Sequence, residues 1–396
     1  MLRRTERTLE NLPVGPLGFI PITGCEELGK NVDDYLVKWR KESSDNNAED
    51  AVFAEYSKDS FIVNAKVPRF GSGEAKGIIN ESVRGKDVYV MVDVCNYSLT
   101  YSLSGHTNRM SPDDHYQNLK RVIAAIGGKA RRVNVIMPFL YESRQHKRSS
   151  RESLDCALAL QELVRMGVDH IITFDAHDPR VQNAIPLNSF ETVRPTYQFI
   201  KGLLSKFDDL KIDSEHLMAI SPDEGATERA IYLANVLGVD MGMFYKRRDY
   251  TRIVDGRNPI VAHEFLGSSV EGKDVIIIDD MISSGDSMLD VAKQLKDRKA
   301  NRIFAASTFG LFTSGLDKFD EAYEKGILHG VMTTNLIYQT PELLNRPWYI
   351  NCDCSKYIAL MIDTLNHDGS ISSILNPTQR IQKVVKKYNA GEKIEQ

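Results

Sequence analysis

The sequence has little that would suit a nucleic acid or a membrane as a partner. Its 50 lysine and arginine residues are outnumbered by 54 aspartate and glutamate residues, which gives a formal net charge of −4. Proteins that hold a nucleic acid backbone usually carry an excess of positive charge. No apolar run approaches the roughly 20 residues that a membrane-spanning helix needs. Composition therefore favours neither partner, and the clustering of the basic residues suits a small anionic ligand better.

The sequence also has few cysteines, and their spacing suits neither a usual zinc site nor a disulfide framework. The five are Cys25, Cys95, Cys156, Cys352 and Cys354. The last two stand too close together for a usual zinc knuckle and are predicted to be free thiols. An odd cysteine count without a signal peptide is typical of a reducing compartment, so we expect a cytoplasmic protein.

What is present is a regular alternation of apolar strands and amphipathic helices. This alternation predicts parallel sheets with helices on both faces, and 396 residues are enough for two domains with full cores. The predicted strands are 88–94, 133–139, 170–174, 217–220, 241–245, 275–278, 302–308 and 330–334. The predicted helices are 115–126, 153–166, 227–237, 286–295 and 355–366.

The order of these elements is similar in the two halves of the chain, although no sequence repeat is visible. We place the boundary between Pro186 and Pro195, which predicts one domain over 1–188 and a second over 189–345. Residues 346–396 are predicted to form a C-terminal helical extension.

Three polar segments are predicted to lie outside this framework. Residues 41–50 and 98–114 are rich in small and polar residues and are predicted to be surface loops. The charged end, Val384–Gln396, is predicted to fray.

The segment Val275–Met288 carries the strongest signal for chemistry. It reads as a buried strand, two carboxylates (Asp279 and Asp280), a hydroxyl-rich turn and a helix. The turn residues are Ser283, Ser284, Gly285, Asp286 and Ser287. Backbone N–H groups and the helix dipole favour an anion at such a turn, so it predicts a phosphate cradle. The aspartates would hold sugar hydroxyls or a cation; an ordinary turn with a capping serine is the alternative.

Two other segments of the second half follow predicted strands. Lys246, Arg247 and Arg248 place three cations where α/β sheets bind ligands, and they would close over a polyphosphate unless they form a solvated turn. Asp223 and Glu224 precede small residues at a predicted helix start, which favours an anion with Mg²⁺ held through water. These small residues are Gly225, Ala226 and Thr227. A capped helix start is the alternative.

Three segments of the first half have the residue types of a nucleotide site. Arg144 and Gln145 follow a predicted strand and suit phosphate and purine contacts, unless they belong to a surface charge run. His177, between two aspartates at a strand end, would bind a metal or a phosphate, or be structural. Phe70 and Glu74 flank two glycines and suit either an adenine clamp or a simple turn.

In chain order, these segments resemble the ribose-phosphate pyrophosphokinase family from about Pro21 to Asn335, including the stretch Glu81–Asp87. The resemblance implies an α/β protein of two tandem phosphoribosyltransferase-like (type I) domains, each a mainly parallel sheet flanked by helices. It implies ATP binding by Phe70, Glu74, Arg144, Gln145 and His177, with the adenine site completed across a subunit interface.

The resemblance also implies roles for the second half. Asp279, Asp280 and Ser283–Ser287 would bind ribose 5-phosphate, and Asp223–Thr227 would form a pyrophosphate loop. Lys246 and Arg248 would be catalytic, and His177 and Asp223 would be metal ligands. Ser82 and Arg84 fall where the family binds a regulatory phosphate or nucleotide.

The implied reaction transfers the β,γ-diphosphoryl group of MgATP to the 1-hydroxyl of ribose 5-phosphate, giving phosphoribosyl pyrophosphate and AMP. Mg²⁺ is the implied cofactor, and a dimer-based homo-oligomer, with a hexamer as one form, is the implied assembly. A phosphoribosyltransferase and a catalytically silent regulatory member are the alternatives. His146 stands where the family has aspartate, the Ser283–Ser287 loop is closer to the transferases, and residues 97–112 are an insertion.

Overall fold

The computed structural model describes residues 12–46, 57–248 and 260–395. The strands of these ranges are β1 (Leu17–Pro21), β2 (Ala65–Lys66), β3 (Ile78–Ile79), β4 (Asp87–Met91), β5 (Thr100–Leu103), β6 (His106–Arg109), β7 (Arg132–Ile136), β8 (His170–Phe174), β9 (Ser189–Val193), β10 (Leu217–Ser221), β11 (Asp240–Arg248), β12 (Ile260–Leu266), β13 (Asp274–Ile282), β14 (Ile303–Gly310), β15 (Gly330–Thr334) and β16 (Tyr349–Cys352). The helices are α1 (Glu26–Asn46), α2 (Pro112–Ile126), α3 (Asp155–Arg165), α4 (Thr196–Lys206), α5 (Thr227–Leu237), α6 (Asp286–Asp297), α7 (Asp317–Glu324), α8 (Pro341–Leu344), α9 (Ser355–Asn366), α10 (Ser372–Leu375) and α11 (Thr378–Asn389).

The chain divides into two compact units. The first contains the described residues up to Arg194, together with Asn335–Tyr338 and Cys354–Asn376. Its sheet has five parallel strands in the order β1-β4-β7-β8-β9. Every residue of β4 is buried, as expected where helices cover both faces of a parallel sheet.

A buried polar network ties the late helix α9 into this first unit. The Asp87 carboxylate, at the start of β4, accepts hydrogen bonds from Arg132 Nε (2.9 Å) and from Asn366 Nδ2 (2.9 Å). The guanidinium beside it holds the pKa of Asp87 below its usual range, although burial acts against this. Arg40 of α1 in turn donates to the Asn366 Oδ1 (2.7 Å). These pairings satisfy groups whose burial would otherwise be costly.

The second unit contains Pro195–Thr334, Gln339–Asp353 and the described residues from Pro377. Its sheet has seven strands in the order β12-β11-β10-β13-β14-β15-β16, and all are parallel except β12. All eight residues of β14 are buried at the centre of this sheet. Among the described residues of the whole chain, no helix is both long and apolar enough to cross a lipid bilayer.

The predicted strands and helices are all confirmed, with ends that shift by a few residues. Residues 98–114, predicted to be a loop, instead form the hairpin β5–β6 and the first turn of α2. Ser104 and Gly105 form the hairpin turn with φ of 50° and 81°, and this left-handed backbone matches the twist of two paired strands.

Two further expectations about loops and ends are wrong. Residues 41–46, predicted to be a loop, continue α1. The end of the chain is held from Val384 to Ile394, because Tyr388 donates its hydroxyl to the Phe207 carbonyl (2.9 Å) and Ile394 is buried. Residues 346–396, expected as one extension, are divided between the two units.

Candidate functional site

Three neighbouring strands of the second unit bring its predicted site segments to one edge of the sheet. β10 pairs in parallel with β11 on one side and with β13 on the other. Asp223–Thr227 follows β10, Ser283–Ser287 follows β13, and Lys246 and Arg248 end β11. The carboxyl ends of parallel strands are where α/β sheets bind ligands. The structure therefore brings these three segments together.

Asp279 and Asp280 were predicted to follow a strand that ends at Ile278. They lie inside β13 instead, because this strand pairs with β14 as far as Ile282. On its other side, β13 pairs with β10 only as far as Ile277. The two aspartates therefore stand beside the point where β10 gives way to the Asp223 loop.

The aspartate pair is crowded with negative charge. The Asp280 N–H donates to Asp279 Oδ1 (2.8 Å), and Asp280 Oδ2 lies 3.9 Å from Arg229 Nη2. Burial raises the pKa of Asp279 well above its usual range, and the carboxylates of Asp280 and Asp223 raise it further. A cation or the hydroxyl groups of a sugar would relieve this excess of acceptors.

The Asp223–Thr227 segment is a capped turn, which was one of the two interpretations left open. The Asp223 carboxylate accepts the N–H of Gly225 (2.9 Å) and starts a 3-10 turn over Glu224–Ala226. The Thr227 hydroxyl donates to the Asp223 carbonyl (3.4 Å). The helix α5 that follows has no side-chain cap of its own, so the turn leaves a positive helix end at the sheet edge.

The Ser283–Ser287 segment depends on a glycine. Gly285 has φ of 88°, and a Cβ on it would lie 2.4 Å from an atom of the Phe319 ring. The Ser284 hydroxyl donates to the Asp286 carboxylate (2.9 Å), which also pairs with Lys318 (2.6 Å). The N-cap residue of α6, Gly285, has no side chain to cap the helix, although the Asp286 N–H reaches the Ser284 hydroxyl (3.4 Å). A tight glycine turn into a helix N-terminus is a backbone arrangement that binds phosphate.

The sequence predicts Lys246 and Arg248 just after a strand. In the structure they are part of that strand, β11, which ends at Arg248. β11 pairs antiparallel with β12, which places Lys246 opposite His263 and Arg248 opposite Ile260. Side chains of 246–248 and residues 249–259 lie outside the described part of the chain. The backbone therefore carries these residues beyond the end of β10 on a two-stranded arm.

In the first unit, two predicted nucleotide segments also share one sheet edge. Arg144 and Gln145 follow β7, His177 follows β8, and these strands pair in parallel. All three side chains are exposed. Asp175, just before His177, has φ of 38°, and the Ala176 N–H donates to Thr192 Oγ1 (2.9 Å). This sharp bend ends β8 and starts the His177 loop.

His146 connects these two loops. Its ring meets the ring of His177 edge-on, with centroids 5.3 Å apart, and its Nε2 lies 3.6 Å from Asp178 Oδ2. Burial lowers the pKa of His146, which favours the neutral ring. Hydrogen bonds from Arg180 lower the pKa of Asp178 to about 2, so its carboxylate stays charged.

Phe70 and Glu74 lie on a short turn elsewhere in the first unit. The Phe70 N–H donates to the Glu74 carbonyl (2.7 Å), and the Phe70 ring is 52% exposed. Single exposed apolar side chains are common on protein surfaces, but an exposed aromatic face also suits stacking on a planar ligand. The Ser72 hydroxyl donates to the Glu74 carboxylate (3.1 Å).

Ser82 and Arg84 are exposed in the segment that leads into β4. The Arg84 N–H donates to the Ser82 hydroxyl (3.3 Å). Because they precede a strand of the parallel sheet, they lie at the edge opposite the Arg144 and His177 loops. The regulatory role that the resemblance implies for Ser82 and Arg84 remains a prediction. It would concern a site apart from the Arg144 and His177 loops.

Sequence reasoning missed Arg229 and Lys318, which pair with Asp280 and Asp286. Arg229 is the third residue of α5, within its first turn, and its Nη1 also reaches the Gly225 carbonyl (3.5 Å). An arginine in the first turn of a helix that starts at an acidic loop was the available signal, because a cation is unfavourable at that end of the helix dipole. Lys318 offered none, because it comes from a distant part of the chain.

The donor set of the second unit fits Mg²⁺ as a partly substrate-held ion. No group of three or more histidine, cysteine, aspartate or glutamate side chains within the described ranges is arranged to hold a metal alone. Mg²⁺ is usually held by one or two carboxylates, with water and substrate phosphates completing its octahedron. Asp223 and the aspartate pair supply carboxylates of that kind.

Comparison with known proteins agrees with this arrangement. A model of the N-terminal domain of ribose phosphate pyrophosphokinase matches residues 19–167, and a phosphoribosyl transferase domain model matches 188–329. The Vibrio cholerae ribose-phosphate pyrophosphokinase is 28% identical over 320 residues, which cover 79% of this chain and 91% of the relative. The Pasteurella multocida protein of the same name is 29% identical over 319 residues, covering 78% and 90%.

Among solved structures, phosphoribosylpyrophosphate synthetase from Mycobacterium smegmatis has the same fold. It superposes with a TM-score of 0.71 at 20% identity, covering 89% of this chain and 99% of that protein. The two matched models fall one on each half of the chain, as the two α/β units do. The chain therefore belongs to the ribose-phosphate pyrophosphokinase family of enzymes, with two tandem phosphoribosyltransferase-type units.

Proposed function

We propose that the chain is a ribose-phosphate pyrophosphokinase that transfers the β,γ-diphosphoryl group of MgATP to the 1-hydroxyl of ribose 5-phosphate. The observation that carries the proposal is the shared sheet edge of the second unit. An acidic pair, an uncapped glycine turn, a capped acidic turn and a basic strand arm meet there. A transfer between two phosphorylated substrates needs these groups.

In this proposal, the Ser283–Ser287 turn binds the 5-phosphate of ribose 5-phosphate. Its N–H groups and hydroxyls match phosphate oxygens, and the start of α6 adds a favourable dipole. Asp279 and Asp280 accept hydrogen bonds from the 2- and 3-hydroxyls. Hydrogen bonds donated by sugar hydroxyls would stabilise the charged carboxylates of this pair and offset the burial and the neighbouring negative charges that raise the pKa of Asp279.

Nucleotide contacts are proposed for each unit separately. Arg144, Gln145 and His177 contact ATP, and Phe70 and Glu74 bind its adenine. Asp223–Thr227 takes the diphosphoryl group. The exposed Phe70 ring and the shared edge of the Arg144 and His177 loops support this assignment.

The chemistry requires no protein nucleophile. The 1-hydroxyl oxygen attacks the β-phosphorus in line, the bond to the α,β-bridging oxygen breaks, AMP leaves, and the hydroxyl proton passes to solvent. Lys246 and Arg248 stabilise the charge on the transferring group. Positioning and charge stabilisation supply most of the rate in such transfers.

In the second unit, Asp223 would hold Mg²⁺ together with phosphate oxygens, and the bound ion would neutralise charge on the phosphates. In the first unit, His177 is the residue proposed as a metal ligand. The protein's own part is to orient these ligands. The Asp223 carboxylate is fixed by the N–H of Gly225, which sets its direction before any substrate binds.

The test is AMP release from ATP that depends on ribose 5-phosphate. We expect AMP and phosphoribosyl pyrophosphate in equal amounts. Product formation only from a nucleobase and phosphoribosyl pyrophosphate would identify a phosphoribosyltransferase instead. Absence of both activities in a folded protein would favour the catalytically silent regulatory member. His146 and the transferase-like Ser283–Ser287 turn are the two features that suggest this alternative.

The remaining family properties are part of the same proposal. We expect a cytoplasmic homo-oligomer built from dimers, in which Phe70 completes a neighbour's adenine site. Light scattering after size exclusion would measure the assembly, and a monomer with full activity would contradict it. Activation by inorganic phosphate that is lost in Arg84→Ala would support a regulatory site at Ser82 and Arg84.

A further inference from the structure

The hairpin β5–β6 lies where the family resemblance places an insertion, and the proposed function gives it no role. Strand β5 and the residue before it alternate in exposure: Leu99, Tyr101 and Leu103 are half-buried, while Thr100 and Ser102 are exposed. Successive side chains of a strand point to opposite faces. One face of the hairpin is therefore turned toward the body of the first unit.

That face meets the turn that carries Phe70 and Glu74. The guanidinium of Arg69, the residue before Phe70, lies 4.1 Å from the centroid of the Tyr101 ring. A guanidinium over an aromatic face is attracted by the ring quadrupole, and more strongly when water is excluded. Arg69 is mostly buried, with 14% of its side chain exposed.

Arg69 also joins the turn to two other elements. Its Nη1 donates to the Gly73 carbonyl (2.9 Å), across the turn from its own position. Its Nη2 lies 3.3 Å from Asp114 Oδ1, and Asp114 belongs to the capping box that starts α2. The same guanidinium thus contacts the turn, the hairpin and the first turn of a helix.

The tip of the hairpin contacts the turn a second time. Gly73 has φ of 92°, and a Cβ on it would lie 2.9 Å from Leu103 Cδ1. The Ser104 N–H points at the Gly71 carbonyl (3.4 Å). The turn is closed by its own backbone hydrogen bonds, from the Phe70 N–H to the Glu74 carbonyl (2.7 Å) and from the Gly73 N–H to the Phe70 carbonyl (2.9 Å). Its two glycines give the free segment many other conformations, so the contacts with the hairpin add to its order.

We propose that the hairpin β5–β6 is a brace for the Phe70–Glu74 turn, with Tyr101 and Arg69 as positioning residues that set the affinity for the nucleotide base. Phe70 is exposed, and the Nζ of Lys76 lies 5.9 Å from its ring centroid. Ordering such a turn at binding costs entropy, and a turn ordered beforehand avoids that cost. The inference rests on the proposed function for the identity of the base.

The test compares Tyr101→Ala with two matched variants. Tyr101→Phe keeps the ring over Arg69, and Ser102→Ala changes the opposite, exposed face of the same strand. ATP affinity is measured by calorimetry without ribose 5-phosphate, and amide exchange is followed at Phe70 and Gly73. We expect Tyr101→Ala to weaken ATP binding about 3- to 10-fold, the scale of one partly buried cation–π contact.

In the same variant, exchange at the Phe70 and Gly73 amides should be faster, while Tyr101→Phe and Ser102→Ala match the wild type. In the steady state, Tyr101→Ala should raise the KM for ATP, with kcat and the KM for ribose 5-phosphate within about twofold. Unchanged ATP affinity in Tyr101→Ala, or an equal loss in Ser102→Ala, would overturn the brace.

Failure of the proposed function gives a different result. If the wild type binds ATP in a Tyr101-dependent way but releases no AMP, the role of the hairpin is supported and the pyrophosphokinase reaction is rejected. If the wild type releases AMP but Tyr101→Ala binds ATP as the wild type does, the reaction is supported and the role of the hairpin is rejected.

Discussion

The two units carry their candidate sites on the same kind of sheet edge but build them differently. In the second unit, backbone geometry does most of the work: Gly285 takes a left-handed turn, Asp223 caps a 3-10 turn, and two helices begin without side-chain caps. In the first unit, the candidate residues are exposed side chains on loops, as Arg144, Gln145 and His177 show.

This difference follows from what each edge is proposed to bind. A phosphate is small and symmetric, and N–H groups at a helix start suit it whatever the side chains are. A nucleotide base is flat and needs rings and hydrogen-bonding side chains at its face and edge. Backbone substitutions should therefore be most damaging in the second unit, and loss of one side chain in the first should weaken binding.

The largest expected effect is on the basic arm of the second unit. Lys246→Ala should lower turnover about 10²- to 10³-fold with a smaller change in the KM values, because it removes a donor used mainly in the transition state. Lys325→Ala, which removes an exposed lysine paired with Glu321, is the control and should be silent. Steady-state kinetics check this. A loss confined to affinity, with turnover intact, would contradict the role of Lys246.

The next effect tests the dependence of the second site on its backbone. Gly285→Ala and Gly272→Ala both place a side chain at positive φ (88° and 75°), which costs about 1 kcal/mol in each. Only Gly285→Ala also forces a Cβ against the Phe319 ring, and overpacking adds about 1–3 kcal/mol.

We therefore expect Gly285→Ala to lower the urea midpoint more than Gly272→Ala and to raise the KM for ribose 5-phosphate at least tenfold. Gly272→Ala should leave that KM unchanged, because no atom lies within 4 Å of its added Cβ. Equal effects of the two substitutions on ribose 5-phosphate would show that the Gly285 turn does not shape the phosphate cradle.

The sequence predicted more of the fold than of the site. Buried parallel strands such as β8 and β15 are short runs rich in β-branched residues, and the sequence predicted their limits to the residue. Edge and surface elements were missed because their patterns are weak: β12 is an antiparallel edge strand, and β5 shows only three alternating apolar residues. The Ser104-Gly105 turn was the local signal for the hairpin.

Site segments could be placed at strand ends because each motif adjoined a recognisable apolar run. The contacts between different site segments could not be predicted, since these contacts depend on the order of the strands in the sheet. Asp223 reaches the field of Asp279 only because β10 and β13 are neighbours, although 56 positions separate them. Contacts between distant segments, such as that of Lys318 with Asp286, left no trace in local sequence.

A smaller effect is expected at the aromatic turn of the first unit. Phe70→Ala should raise the KM for ATP about tenfold, within the roughly 1–3 kcal/mol that stacking of one base on a ring contributes. Phe70→Tyr keeps the ring and should behave as the wild type. Kinetics with ATP varied at saturating ribose 5-phosphate give both constants. A large fall in kcat without a change in KM would give Phe70 a role in the reaction itself and contradict the distinction drawn between the two units.

The smallest effect on activity is expected at Asp93, a buried acid of the first unit that contrasts with Asp279 of the second. Asp279 has its pKa raised by burial and by other carboxylates, whereas burial raises the pKa of Asp93 to about 7 against two hydrogen bonds, from the N–H groups of Cys95 and Tyr338. Since the carboxyl group of Asp93 has a pKa near 3.8 in the unfolded chain, the folded chain holds an extra proton between pH 3.8 and about 7, and stability falls as pH rises through this range.

Asp93→Asn removes this titration, although its amide nitrogen cannot accept the second N–H bond and the variant is less stable throughout. We expect the urea midpoint of the wild type to fall from pH 5 to pH 8 relative to that of Asp93→Asn, by the equivalent of about 1–3 kcal/mol. Parallel curves would mean that the two N–H donors keep Asp93 charged, and that burial alone does not hold a proton at the edge of the first unit.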